Sequence, residues 1–229
     1  MKTKVVLAAA LAAAMFTPAM ASAAFVLDTG TPTPGSVFGN VLDSGDFSAA
    51  EFNLSAGSTV TGIQAYVANA VGLDSPGDTF TLAIYSASGS SPSTAFIGGR
   101  NATPLFSTQA TYEADGWNGV SNLSWTASTT GQYWAAVEVN PSSGDSVQSL
   151  VLPTPVAGSG TVPALAFAFN DGSGTGYQTS TQAVALEVTA VAPVPLPAAA
   201  WLLGSGLAGL GFLRRRRGGV MVKGAPGTV

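Results

Sequence analysis

The chain has 229 residues, 46% of them hydrophobic and 9% charged, with neither cysteine nor histidine. The apolar share suffices for a sizeable core, while the two absences exclude disulfide frameworks, thiol chemistry, Ser-His-Asp and Cys-His catalysis and His-ligated metals. The net charge of −4 hides an asymmetry: between residues 24 and 192 one base, Arg100, faces all twelve acids, a net of −11, so no nucleic-acid partner is expected.

From the N-terminus, Lys2 and Lys4 form a positive entry and Val5 to Phe16 an Ala/Leu-rich apolar run. Ala21-Ser22-Ala23 then supplies a small-residue cleavage site, which together make residues 1–23 a secretory signal peptide with Ala21 and Ala23 as the small pair. The Sec translocon is the partner this implies, and residues 24–192 are the exported domain.

Across that domain the apolar period is two. Phe80, Leu82 and Ile84 share one face of a run ending at Tyr85, and Leu123, Trp125 and Ala127 share another. In Gln132 to Val139, Tyr133, Ala135, Val137 and Val139 alternate with Trp134, Ala136 and Glu138. Further runs are Val37 to Leu42, Glu51 to Leu54, Val60 to Ala68, Leu105 to Tyr112, Gln148 to Leu152, Ala164 to Phe169 and Ala183 to Val191, separated by Gly, Ser, Pro and Asp clusters. Eight to ten short strands predict an all-β, antiparallel β-sandwich of jelly-roll or immunoglobulin-like topology. The only helices expected are the signal peptide before it and a transmembrane helix after it.

Leu54-Ser-Ala-Gly-Ser-Thr-Val-Thr-Gly-Ile63, the strand Phe80 to Tyr85 and the late run Trp125 to Trp134 with its Gly-Gln-Tyr-Trp resemble the β-sandwich domains of the choice-of-anchor group. The resemblance covers roughly residues 35 to 190. It implies a surface-anchored sandwich and brings no catalytic residue with it.

Chemistry in this domain would rest on carboxylates, as in glycosidases that use an acid pair, but most of the acids fall in turns or at strand ends and no pair stands out. No catalytic residue is assigned. No cofactor is required; Asp43 with Asp46, and Asp74 with Asp78, are the candidate Ca²⁺ loops, each offering two carboxylates beside carbonyl oxygens. Among the aromatics, Trp125 and Tyr133 occupy core positions. Trp117, in the turn-like stretch Asp115-Gly-Trp-Asn-Gly119, is the candidate to stack on a sugar ring.

The C-terminal part carries the sharpest signal. Ala192-Pro-Val-Pro-Leu-Pro197 leads into an apolar run from Ala198 to Leu213, which is followed by Arg214, Arg215, Arg216 and Arg217. The run is 16 residues, just short of the ~17 to 25 of a spanning helix, and the arginines hold its end in the cytoplasm. This order resembles the PEP-CTERM sorting signal, with Val194, Pro195, Leu196 and Pro197 as the motif over residues 193–217. Leu196 stands where that motif has Glu, and a tail of residues 218–229 follows the arginines.

The resemblance implies processing by an exosortase, an inner-membrane intermediate and a final place at the cell surface or outside it. It also implies association with exopolysaccharide or biofilm matrix. The resulting expectation is an exported, non-enzymatic structural or adhesive protein. A secreted carbohydrate-binding module is the alternative, and a carboxylate-based glycosidase the third.

Overall fold

The computed structural model describes residues 21–44, 46–87, 103–140, 143–171 and 178–193, all within the unit Ala21–Pro193. Their elements are β1 (Ala23–Asp28), β2 (Gly39–Leu42), β3 (Asp46–Leu54), β4 (Thr59–Val67), β5 (Thr79–Ser86), β6 (Phe106–Thr111), β7 (Gly116–Thr126), β8 (Gly131–Glu138), β9 (Leu150–Pro153), β10 (Phe167–Asp171), β11 (Gln178–Ser180) and β12 (Leu186–Val191). The apolar run of the expected signal peptide, the motif Val194 to Pro197, the apolar run 198–213, Arg214 to Arg217 and the tail lie outside the described residues. Among the described residues no helix is long and apolar enough to cross a membrane.

The strands pair antiparallel in a four-stranded sheet, β1-β12-β4-β7, a six-stranded sheet, β11-β10-β3-β8-β5-β6, and a two-stranded ribbon, β2-β9. Within the two larger sheets, β1-β12-β4-β7 faces β3-β8-β5-β6. That is the strand order of a jelly roll, in which most consecutive strands cross between sheets while β5 and β6 form a hairpin within one. β10 and β11 extend the second sheet beyond the eight-strand pattern.

The inner faces meet in one core. Val60, Ile63, Ala65 and Val67 of β4 and Leu186, Val188 and Ala190 of β12 pack towards Phe52, Phe80, Leu82, Ile84, Ala135 and Val137. Trp125 of β7 sets its ring at 77° to Tyr133 of β8, centroids 5.7 Å apart, so an aromatic contact ties the sheets together. Tyr133 is buried as the alternation predicts, and its hydroxyl donates to the Thr129 carbonyl at 2.7 Å. The ribbon closes one end with Leu42, Leu150 and Leu152, all fully buried. It is joined to the sheets by an Ala68–Val151 bridge and by Asn40 Nδ2 donating to Ser48 Oγ at 2.9 Å.

With no disulfide available, carboxylates hold the loops. Asp28 accepts from the Gly30 and Thr161 amides at 3.0 and 2.8 Å and from the Thr161 hydroxyl at 2.6 Å, tying the loop before β10 to β1. Asp74 accepts from the Gln148 and Ser149 amides at 2.6 and 3.1 Å. Asp145 accepts from Thr81 Oγ1 at 2.7 Å, the Asn140 amide at 2.8 Å and Gln109 Nε2 at 3.0 Å. Hydrogen bonds to an ionised acceptor are among the stronger ones, which lets a few Asp residues order long connections.

Candidate functional site

Each sheet has an outer face, and the two differ. On the six-stranded sheet the register places Glu51, Trp134 and Tyr85 side by side across β3, β8 and β5. Ala49, Ala136 and Ala83 form the next row, and Glu138 and Thr81 stand opposite each other in the third. This face is closed: Glu51, Trp134, Ala49, Ala83 and Ala136 are fully buried and Tyr85 nearly so. Consecutive residues Tyr133 to Glu138 are therefore all buried, although alternation alone would leave every second one on an open face.

Two groups in this row lack hydrogen bonds. Both carboxyl oxygens of Glu51 and the Trp134 indole nitrogen have no hydrogen-bond partner among the described residues, although the two residues are direct neighbours across β3 and β8. Burial pushes the Glu51 carboxyl above its ordinary range, since a buried charge without a partner is the costlier form. Tyr85, by contrast, donates to Glu138 at 2.9 and 3.1 Å to its two oxygens, and burial with that neighbouring carboxylate holds the phenol far above its usual range. The sequence separated Trp134 and Glu138 from Tyr133 by alternation. Their meeting with Glu51 and Tyr85 depends on the strand order β3-β8-β5, which no local signal carries.

The outer face of the four-stranded sheet is partly open. A ladder of polar and aromatic pairs runs along it: Thr59 with Thr126, their hydroxyls 2.9 Å apart; Thr61 with Thr189, 3.2 Å apart; Gln64 beside Glu187; and Tyr66 beside Trp117. The Tyr66 and Trp117 rings meet edge to face, centroids 5.7 Å apart at 82°. Both are only partly buried. Burial, with Asp28 nearby, raises the Glu187 carboxyl above its ordinary value.

Trp117 is thus not in a turn. It is the second residue of β7, because the side chain of Asn118 closes the preceding turn itself. Asn118 Oδ1 accepts from the Glu113 amide, and Nδ2 donates to the Ala114 and Gly116 carbonyls, each at 2.8 Å. Gly119 completes the strand, since a Cβ there would collide with the Ile63 carbonyl oxygen of β4. The Gly and Asn residues that read as a loop are what allow β7 to lie close against β4.

In the candidate calcium loop of Asp74 and Asp78 the carboxylates bond to other parts of the domain. Asp74 is the clamp on Gln148 and Ser149, and Asp78 accepts from the Ser75 amide at 2.7 Å and the Ser146 hydroxyl at 2.9 Å. Asp43 lies in a bend before β3 and Asp46 opens that strand. Among the described residues no group of three or more acids gathers as a metal site would require. Ala21 and Ala23 are exposed, Ala23 as the first residue of β1. Beside them is an open hollow of about 210 Å³ lined by Ser22, Ala24, Leu54, Ser58 and Ala190, which gathers no charged side chain.

No family model matches the chain, and no curated protein matches it. Among solved structures the chain is similar to the cysteine protease and lectin-like domains of Cwp84, a surface layer associated protein of Clostridium difficile. That likeness has a TM-score of 0.43 and 12% sequence identity over 65% of this chain and 32% of the other, so this chain spans about a third of that protein's length. A likeness of this size carries no ligand or activity across.

Proposed function

We propose that the chain is an exported surface or matrix protein, delivered by a signal peptide and processed by an exosortase at a PEP-CTERM-like signal, with a structural or adhesive role in exopolysaccharide. The observation that supports this reading is where the first and last described strands lie. β1 opens at Ala23, beside the expected signal-peptide cut, and β12 closes at Val191, just short of the proline motif. Ala23 and Val191 are paired residues on neighbouring strands, so both cuts are made at one end of the sandwich. Pro193 packs there against the β3–β4 turn, where a Cβ on Gly57 would lie 3.3 Å from its ring. Pro195 and Pro197 lack the N–H that a sheet ladder requires, so they suit a recognition motif placed after the last strand.

The test is an immunoblot of membrane and extracellular fractions. The double variant Pro195→Ala, Pro197→Ala is expected to remain full-length in the membrane while the parent is shortened. A double variant shortened and released like the parent would leave the segment as a plain anchor.

A second reading, glycan binding by the domain, is favoured by the Trp117–Tyr66 pair on an accessible sheet face. On a glycan array it predicts specific binding that Trp117→Ala removes.

A further inference from the structure

We infer that the outer face of the four-stranded sheet is a binding surface for a neutral polysaccharide chain, with Trp117 and Tyr66 as its stacking end and the Gln64 and threonine pairs as its hydrogen-bonding track. The inference rests on the glycan-binding reading and adds the ligand's chemistry and its path.

Three features define the surface. The first is the ring pair. An edge-to-face arrangement at 82° takes up one face of one ring only, and both residues stay partly exposed, so ring surface remains for the C–H face of a pyranose. The second is the floor. Along β7 the outward position after Trp117 is Gly119, held as glycine by the approach of Ile63 and Gln64 of β4, and the next outward position is Ser121. No bulky side chain rises from β7 between the indole and Ser121.

The third feature is the chemistry of what flanks the floor. Gln64 carries both a donor and an acceptor, and the Thr61–Thr189 and Thr59–Thr126 hydroxyls do the same, as sugar hydroxyls require of their partners. The track from Thr59 to Tyr66 is eight residues of strand, about 23 Å over its seven steps at ~3.3 Å each, long enough for several sugar units in a row. It begins at the end of the sandwich where Val191 pairs with Thr59, and the ring pair is at the other end.

Charge selects a neutral chain. No Lys or Arg occurs among the described residues. Acids beside the surface are Glu187 within the track, Asp28 paired with it on β1, and Glu113 and Asp115 before β7, with Asp115 already accepting from the Asn69 amide and the Tyr112 hydroxyl, each at 2.8 Å. A polyuronate or sulfated polymer would meet repulsion here and find no counter-ion among the described residues.

The experiment is affinity electrophoresis of the full chain in a non-ionic detergent, through gels containing a neutral β-glucan, dextran or galactomannan, and through gels containing polygalacturonate with and without Ca²⁺. Circular dichroism verifies the fold of each variant. Retardation is expected in at least one neutral gel and in neither polygalacturonate gel. Trp117→Ala and Tyr66→Ala should each weaken it about tenfold, the order expected for the loss of one stacking ring.

Retardation by polygalacturonate alone, or only with Ca²⁺, would overturn the neutral-ligand inference and leave glycan binding standing. Retardation by a neutral polymer that both folded variants retain would place binding elsewhere. No retardation in any gel would overturn the inference and the glycan-binding reading together. Sedimentation of the same samples adds one more outcome: a dimer that Trp117→Ala converts to monomer would assign the surface to a second copy of the chain instead.

Discussion

The outer faces of the two sheets are built from the same alternating strands, yet one is buried and the other partly open. On the six-stranded sheet, Glu51 and Trp134 are fully buried with polar atoms unmatched. On the four-stranded sheet, the Thr pairs hydrogen-bond to each other, and Gln64, Tyr66 and Trp117 keep access to water. An exposed aromatic pair over satisfied polar neighbours costs the fold little and leaves ring surface for a ligand, whereas a buried unpaired carboxyl costs the fold directly. The face that looks richest in functional groups, with two glutamates, a tryptophan and a tyrosine, is therefore the one where substitutions act first on stability.

That contrast sets the order of effects. Trp134→Ala should destabilise the domain by ~3–5 kcal/mol, as truncation of a fully buried large aromatic does, while Trp117→Ala on the open face should cost no more than ~1 kcal/mol. Urea denaturation of both variants checks this. Comparable losses would erase the difference between the faces.

Replacing Glu51 by Gln should have the opposite sign. It removes an ionisable group that burial disfavours, so the variant should be the more stable one at neutral pH. The pH dependence sharpens it. A carboxyl whose folded pKa is raised above the ordinary 4.5 binds its proton more tightly in the native state, so its charging costs the parent stability as pH rises from about 4.5 through the raised value. The stability advantage of Glu51→Gln should therefore be small near pH 4, grow with pH and then level off. A constant difference between pH 4 and 8 would mean that Glu51 is not charged against burial.

The smallest effect belongs to the open ladder. Thr61→Ala removes one partly buried cross-strand hydroxyl pair and should shift stability by less than ~0.5 kcal/mol. A loss above 1 kcal/mol would show that this face contributes more to the fold than its exposure suggests.

Much of the fold was legible in local pattern. β4, β5 and β8 follow the runs that alternation marked, and β12 ends at Val191 as expected. What was not legible is non-local. β1 begins within Ala21-Ser22-Ala23, residues that read as a processing site, and it becomes a strand only because Ala24 finds Ala190. β11, Gln178–Ser180, is three polar residues given order by β10 alone.

The start of β7 read as a turn from its Gly and Asn content, but Asn118 spends its side chain on the turn before it. For the candidate site, Trp117 could be named from sequence as an aromatic in a polar setting. Its partner Tyr66 could not, because fifty residues separate them and only the β4–β7 register joins them.

The central proposal is that the sandwich domain is exported, folds outside and is freed from sorting segments at both of its ends. Intact-mass spectrometry of the protein recovered from outside the cell tests it most directly. The account predicts a mature chain that begins at Ala24 and ends beyond Val191 but before Arg214, retaining β12 between β1 and β4. A secreted species that still ends at Val229, or one cut within β12, would contradict it.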